Sequence, residues 1–237
     1  MLRRWPGRSG PDSSRDLPDL AVHEVRRRVF VIHGRDEEVR ERMFDFLRAL
    51  DLKPLEWEAL VAASGSTAPF LGDVVQRAPV LARAALVLLT PDDVVNLHPG
   101  LHDHGEADFE VADGCQPRPN VLIELGMVLT AYPERAIIVE LGRLRPIADL
   151  AGRNVIRFDG SAISLGKLAE RLKSAGCTAD TQGSDWRNTR RFQGLDAYDR
   201  RPPCLSGSRS LRVLRETPEE LKDVSPHGPV PFRNRQQ

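Results

Sequence analysis

The run AALVLLT at 84–90 carries no charge and shows no alternation of polar with apolar residues. A strand with one wet face alternates. One that does not is buried on both faces, the normal state of a parallel sheet covered by helices on each side. The neighbouring segments fit that setting. VFVI at 29–32 is a second apolar, β-branched run, ending at His33-Gly34. Asp36 opens a helical pattern through Leu50, with Val39, Met43, Phe46, Leu47 and Leu50 at helix spacing. Residues 53–57 read as a weaker strand, 64–69 as a loop and 70–81 as a helix. A largely apolar helix is expected over 120–132, strands over 136–141 and 154–158, and an amphipathic helix over 163–175. Strands interleaved with helices in this way predict an α/β fold: an open, parallel, five-stranded flavodoxin-like sheet. Right-handed crossovers, with the most apolar strands central, give the order 2-1-3-4-5.

Charge separates the middle of the chain from its ends. The 237 residues hold 34 Lys+Arg and 34 Asp+Glu, so nothing draws the whole molecule to nucleic acid or an anionic membrane. Residues 1–27 and 178–237 are basic, rich in Pro, Gly and Ser, and poor in apolar periodicity. Both are expected to be poorly ordered tails around a domain at 28–177. No apolar run approaches the roughly 20 residues that span a bilayer. The basic N-terminus lacks the apolar stretch of a secretory signal. Cys115, Cys177 and Cys204 are scattered and fit a reducing cytoplasm.

In an open α/β sheet, ligands bind beyond the carboxyl ends of the strands, near the switch in strand order. His33, Gly34, Arg35 and Asp36 follow the first strand there, Trp57, Glu58 and the SGST loop the second, and Thr90, Pro91, Asp92 and Asp93 the third. Between Asn120 and Pro133 the only charged side chain is Glu124, within NVLIELGMVL. An unpaired carboxylate in dry surroundings costs several kcal/mol unless it is paired, protonated or reaches a cleft. Asn120 as N-cap would put Glu124 near the positive end of the helix dipole, so dipole and burial oppose each other. A structural salt bridge to an arginine is the plain alternative. Gly126, inside the same helix, implies close approach by a packed strand or by a ligand. Arg35 and Arg118 are candidates for phosphate, or solvated surface arginines. Trp57 is a candidate for stacking on a flat ring, or for plain packing. Ser66 lies in a loop small enough for a ligand or a neighbouring subunit to approach closely. The insertion 96–118 holds His98, His102, Asp103, His104 and Glu106 in no familiar metal spacing, and no metal is expected. Dinucleotide, triphosphatase, serine-hydrolase and zinc-peptidase motifs are all absent from the sequence.

Taken in order, VFVIHGRD, the SGST loop, ALVLLTPDD and RPNVLIELGMVL resemble the bacterial TIR-like family, over about 28–177. The resemblance implies a TIR-like fold and NAD+ glycohydrolase activity, breaking the bond between nicotinamide and ribose. It also implies a role as an antiphage effector that depletes NAD+ when a cyclic oligonucleotide signal arrives. Glu124 takes the place of the catalytic glutamate. His33, Gly34, Arg35, Trp57, Ser66, Asp92, Arg118 and Asn120 would surround the substrate, which is NAD+ itself with no further cofactor. The loop after the second strand, about 58–69, would cover the pocket and mediate TIR–TIR contact. No sensor domain is recognisable here, so the trigger would come from a separate sensor protein, a bound cyclic nucleotide, or assembly itself. The rival readings are a nucleotide-binding or assembly module without turnover, and a nucleoside-processing transferase.

Overall fold

In the middle strands, side-chain parity builds two cores. The computed structural model describes residues 16–65 and 71–203. Its elements run α1 (Asp16–Arg27), β1 (Arg28–Ile32), α2 (Glu37–Ala49), β2 (Lys53–Leu55), α3 (Trp57–Ser64), α4 (Leu71–Leu81) and β3 (Ala84–Leu89). They continue as β4 (Asp93–Val95), α5 (Asp108–Val111), β5 (Gly114–Gln116), α6 (Pro119–Ala131), β6 (Ala136–Leu141), β7 (Ile156–Phe158) and α7 (Ala162–Ser174). Val29 and Val31, Leu86 and Leu88, and Ile137, Val139 and Leu141 face one side with α2 and α7. Phe30 and Ile32, Ala85, Val87 and Leu89, and Ile138 face the other, with α3, α4 and α6. Every residue of β3 is buried, as its unbroken apolar run predicts.

Five strands pair in parallel in the order β2-β1-β3-β6-β7. Counting only these, that is the expected 2-1-3-4-5. The order reverses between β1 and β3, where Ile32 lies beside Val87, and Val87 beside Ile138. Asp36 caps α2 by accepting from the Val39 N–H at 3.0 Å, which ends β1 and turns the chain at the carboxyl edge.

Several expectations are corrected. The second strand stops at Leu55, and Trp57 opens α3 where a strand end and loop were expected. Gly65 ends that helix with φ +72°, a left-handed conformation that suits glycine. The insertion after β3 is partly regular, because β4 and β5 form an antiparallel hairpin. The fold also extends past both bounds drawn from the sequence. α1 precedes β1, and the segment 178–203 carries short 3-10 turns whose Trp186, Phe192, Leu195 and Ala197 belong to the α2/α7 core. Phe192 meets Phe158 edge-on at 4.8 Å and Phe46 at 6.2 Å. Four apolar side chains at irregular spacing dock this segment, so its polar composition hides it. The rest of the expected tails, 1–15 and 204–237, lies outside the described residues.

Candidate active site

The switch between β1 and β3 gathers a tight polar cluster. Gly34 lies two residues past the end of β1, and a β-carbon there would run into the Asp92 carboxylate. Space, not backbone conformation, therefore demands the glycine. Asp92 Oδ2 accepts from the Arg35 N–H at 3.1 Å. Burial pushes the Asp92 carboxyl above its ordinary range, and Asp36 nearby adds to the rise. The Asp36 side chain is only 7% exposed and pairs with Arg200 at 2.9 Å. The same guanidinium reaches the Pro91 carbonyl at 3.5 Å. The hairpin formed by β4 and β5 hangs from this point, since the Asp92 N–H donates to the Gln116 carbonyl at 3.1 Å.

Glu124 lies on α6, on the other face of the sheet from α2. Pro119 occupies the first turn, and the N-cap is Arg118, without a side-chain cap. Asn120 is exposed and inside the helix; it is not the cap, because proline at N1 fixes the start two residues earlier. Glu124 therefore falls in the second turn, about 9 Å along the axis from the cap. The dipole fades within the first turn, so burial decides the conflict. It raises the Glu124 carboxyl above the ordinary glutamate range, with no opposing charge. Among the described residues no guanidinium or hydrogen-bond donor pairs with it. Val121, Leu125 and Val128 of the same helix are buried against the sheet. Gly126 does not serve tight helix–sheet packing: it is exposed, and a β-carbon would touch nothing within 4 Å.

The other candidates divide. Trp57 packs on Phe30 at 6.4 Å, on the same face of the sheet as α6, which is the plain packing role. His33 turns to the α2 face, edge-on to Phe44 at 6.3 Å, with Nδ1 2.9 Å from the Gly34 carbonyl. Arg118 is bound to Asp93 at 2.7 Å, so its charge is already matched. Arg35 is exposed, with only its backbone engaged at Asp92. Ser66 lies outside the described residues. The histidine-rich insertion is exposed, and no group of metal-ligating side chains forms among the described residues. Sequence reasoning missed Arg200 altogether, since nothing local marks it. Asp36 was placed at the carboxyl edge and as the opening of a helix, but its pairing with Arg200 was not foreseen.

A family model, the TIR domain of CAP12/Pycsar effector proteins, matches residues 28–160, more than half of the chain. The chain belongs to the CAP12/Pycsar effector TIR family. The match runs from the first residue of β1 to the glycine after β7, so it takes in the parallel sheet, Glu124 and the Gly34–Asp92 contact. It makes the chain a TIR-like antiphage effector with the TIR-like fold that the resemblance implied. α7 and the segment 178–203 lie beyond the match. The comparison with curated proteins gave no match. No helix among the described residues is long and apolar enough to cross a membrane.

Proposed function

We propose that this CAP12/Pycsar TIR domain is an NAD+ nucleosidase acting in the cytoplasm, with Glu124 as its catalytic residue. The observation that carries the reading is a half-buried carboxylate without a counter-ion among the described residues, on an apolar helix beside the carboxyl edge of the sheet. Nicotinamide in NAD+ is a cationic leaving group, so no strong acid is needed to expel it. The C1′–N bond breaks, nicotinamide leaves neutral with the electron pair, and positive charge develops on the ribose, as in sugar hydrolysis. A carboxylate in dry surroundings stabilises that charge. Water then adds at C1′ and gives its proton to Glu124, whose raised basicity suits the task. Arg35 is free to meet the pyrophosphate. NAD+ is the substrate and no further cofactor takes part.

The reading extends to regulation. A cyclic-nucleotide signal, direct or through a separate sensor protein, brings copies of the domain together by homotypic TIR contacts. The exposed outer side of α6, with Ile123 55% exposed and Gly126 open, supports such contact. The test is to incubate the full chain at high concentration, with crowding agent or cyclic nucleotides, and follow free nicotinamide. Turnover that Glu124→Gln abolishes is the expected result. Nucleotide binding without nicotinamide release favours the assembly module instead, and base release from ordinary nucleosides favours the transferase.

A further inference from the structure

The segment 178–203 passes over the carboxyl ends of three strands before it reaches the fourth. Gly160, just after β7, has φ +72°, and a β-carbon there would lie 2.6 Å from Phe192 Cβ and 2.8 Å from Tyr198 Oη. Gly142, just after β6, has φ +71°, and a β-carbon would strike the Ala197 carbonyl and lie 3.3 Å from Pro91. Both glycines are thus required twice, by backbone conformation and by contact with this segment. The path ends at β3 and β1, where Arg200 Nη1 meets the Pro91 carbonyl and Asp36 Oδ2. A segment outside the family match therefore fits the carboxyl edge closely and delivers one cation to the switch point.

That cation changes what the switch point can bind. Two carboxylates, Asp36 and Asp92, stand close together at this point, and the Asp36 charge adds to the rise that burial gives the Asp92 carboxyl. By themselves they would repel an anion. Arg200 matches Asp36 through one terminal nitrogen, and its side chain remains 37% exposed. Among the described residues its Nε and other terminal nitrogen have no partner. A guanidinium anchored on one edge and open on the other is preorganised to fork onto phosphate oxygens.

We infer that Arg200 is a substrate-binding residue, held over the β1/β3 switch by the segment 178–203, and that it takes the pyrophosphate of a dinucleotide. The inference rests on the proposed function for the identity of the ligand, but its chemistry, a diphosphate ester, is read from the arginine and its anchors. In a dinucleotide the scissile ribose adjoins the pyrophosphate. Arg200 thus sets affinity, while Glu124 sets the rate of bond breaking.

The experiment uses the full chain and two ligands. Binding of ADP-ribose is measured by calorimetry in wild type, Arg200→Ala and Arg200→Lys, and nicotinamide release from NAD+ is followed in parallel. Arg200→Ala is expected to weaken ADP-ribose binding and raise KM about ten- to a hundred-fold, the range for one charge-assisted contact, with kcat within about twofold. Lysine is expected to restore part of the loss, because it keeps the charge but not the fork. Cooperative thermal unfolding retained in Arg200→Ala, and partial recovery in Arg200→Lys, separate this from loss of the fold. Wild-type chain that binds no ADP-ribose overturns the inference, as does unaltered affinity in Arg200→Ala. Higher activity in Arg200→Ala overturns it too, since the segment would then be a restraint on the site. ADP-ribose binding that depends on Arg200, in a chain that releases no nicotinamide, upholds the inference and defeats the nucleosidase reading. NAD+ cleavage indifferent to Arg200 does the reverse.

Discussion

Glu124 binds its proton more tightly folded than unfolded, because burial disfavours the charge and nothing repays it. Stability is then fullest below the unfolded pKa and declines as pH rises through the higher folded one. Glu124→Gln is expected to raise the melting temperature at pH 7, with the gain shrinking toward pH 4, while abolishing nicotinamide release. A pH series of thermal melts checks the first half. The wild-type rate is expected to fall on the acid side at a pH above the ordinary glutamate range, since protonation removes the carboxylate that the reaction needs. Asp36→Ala deletes both a helix cap and the anchor of Arg200, and is expected to cost about 1–2 kcal/mol in urea unfolding. At this scale the sequence was partly legible. Glu124 stood out because one charge in an apolar helix is a physical contradiction. Asn120 misled because a proline beside it claimed the first turn. Arg200 was silent because its partner Asp36 is distant in sequence, and only folding joins them.

Among the elements, β3 was readable without reference to anything else, and the parallel order followed from it by handedness. α3 was not. Eight residues with little amphipathic pattern, next to small residues, look like a loop until Leu60 finds the sheet. The segment 178–203 was hidden for another reason. Trp186, Phe192, Leu195 and Ala197 fall at spacings that match neither a helix nor a strand, so they bury themselves one by one in a groove that α2 and α7 have already formed. Phe192, 1% exposed between Phe46 and Phe158, is the keystone of that docking. Phe192→Ala is expected to lower stability by about 3–5 kcal/mol, measured by chemical denaturation. A result near zero would mean that the segment only leans on the domain.

For the molecule as a whole, the boundary of the family match and the boundary of the fold differ. Residues 28–160 hold the sheet, but the core on the α2 side is completed by α7 and the segment after it. A chain cut after Cys177 loses Trp186, Phe192, Leu195 and Ala197, and uncovers the apolar surface they shield. It is expected to bind a hydrophobic dye and unfold without a sharp transition, whereas a chain cut after Pro203 is expected to melt cooperatively. Composition gave the class of molecule correctly, yet it placed the edge of the domain too early, because average polarity over sixty residues says nothing of four buried side chains.

The segment that covers Gly142 and Gly160 is also the last part of the described fold to be made. Chains fold from their amino end as the ribosome extends them, and the arginine that completes the phosphate-facing corner is made some forty residues after the last sheet strand. A partly synthesised protein already has Glu124 and Arg35 but lacks the second arginine proposed for the pyrophosphate. On the proposed reading, full affinity for a dinucleotide then arrives only with the last stretch of the described fold.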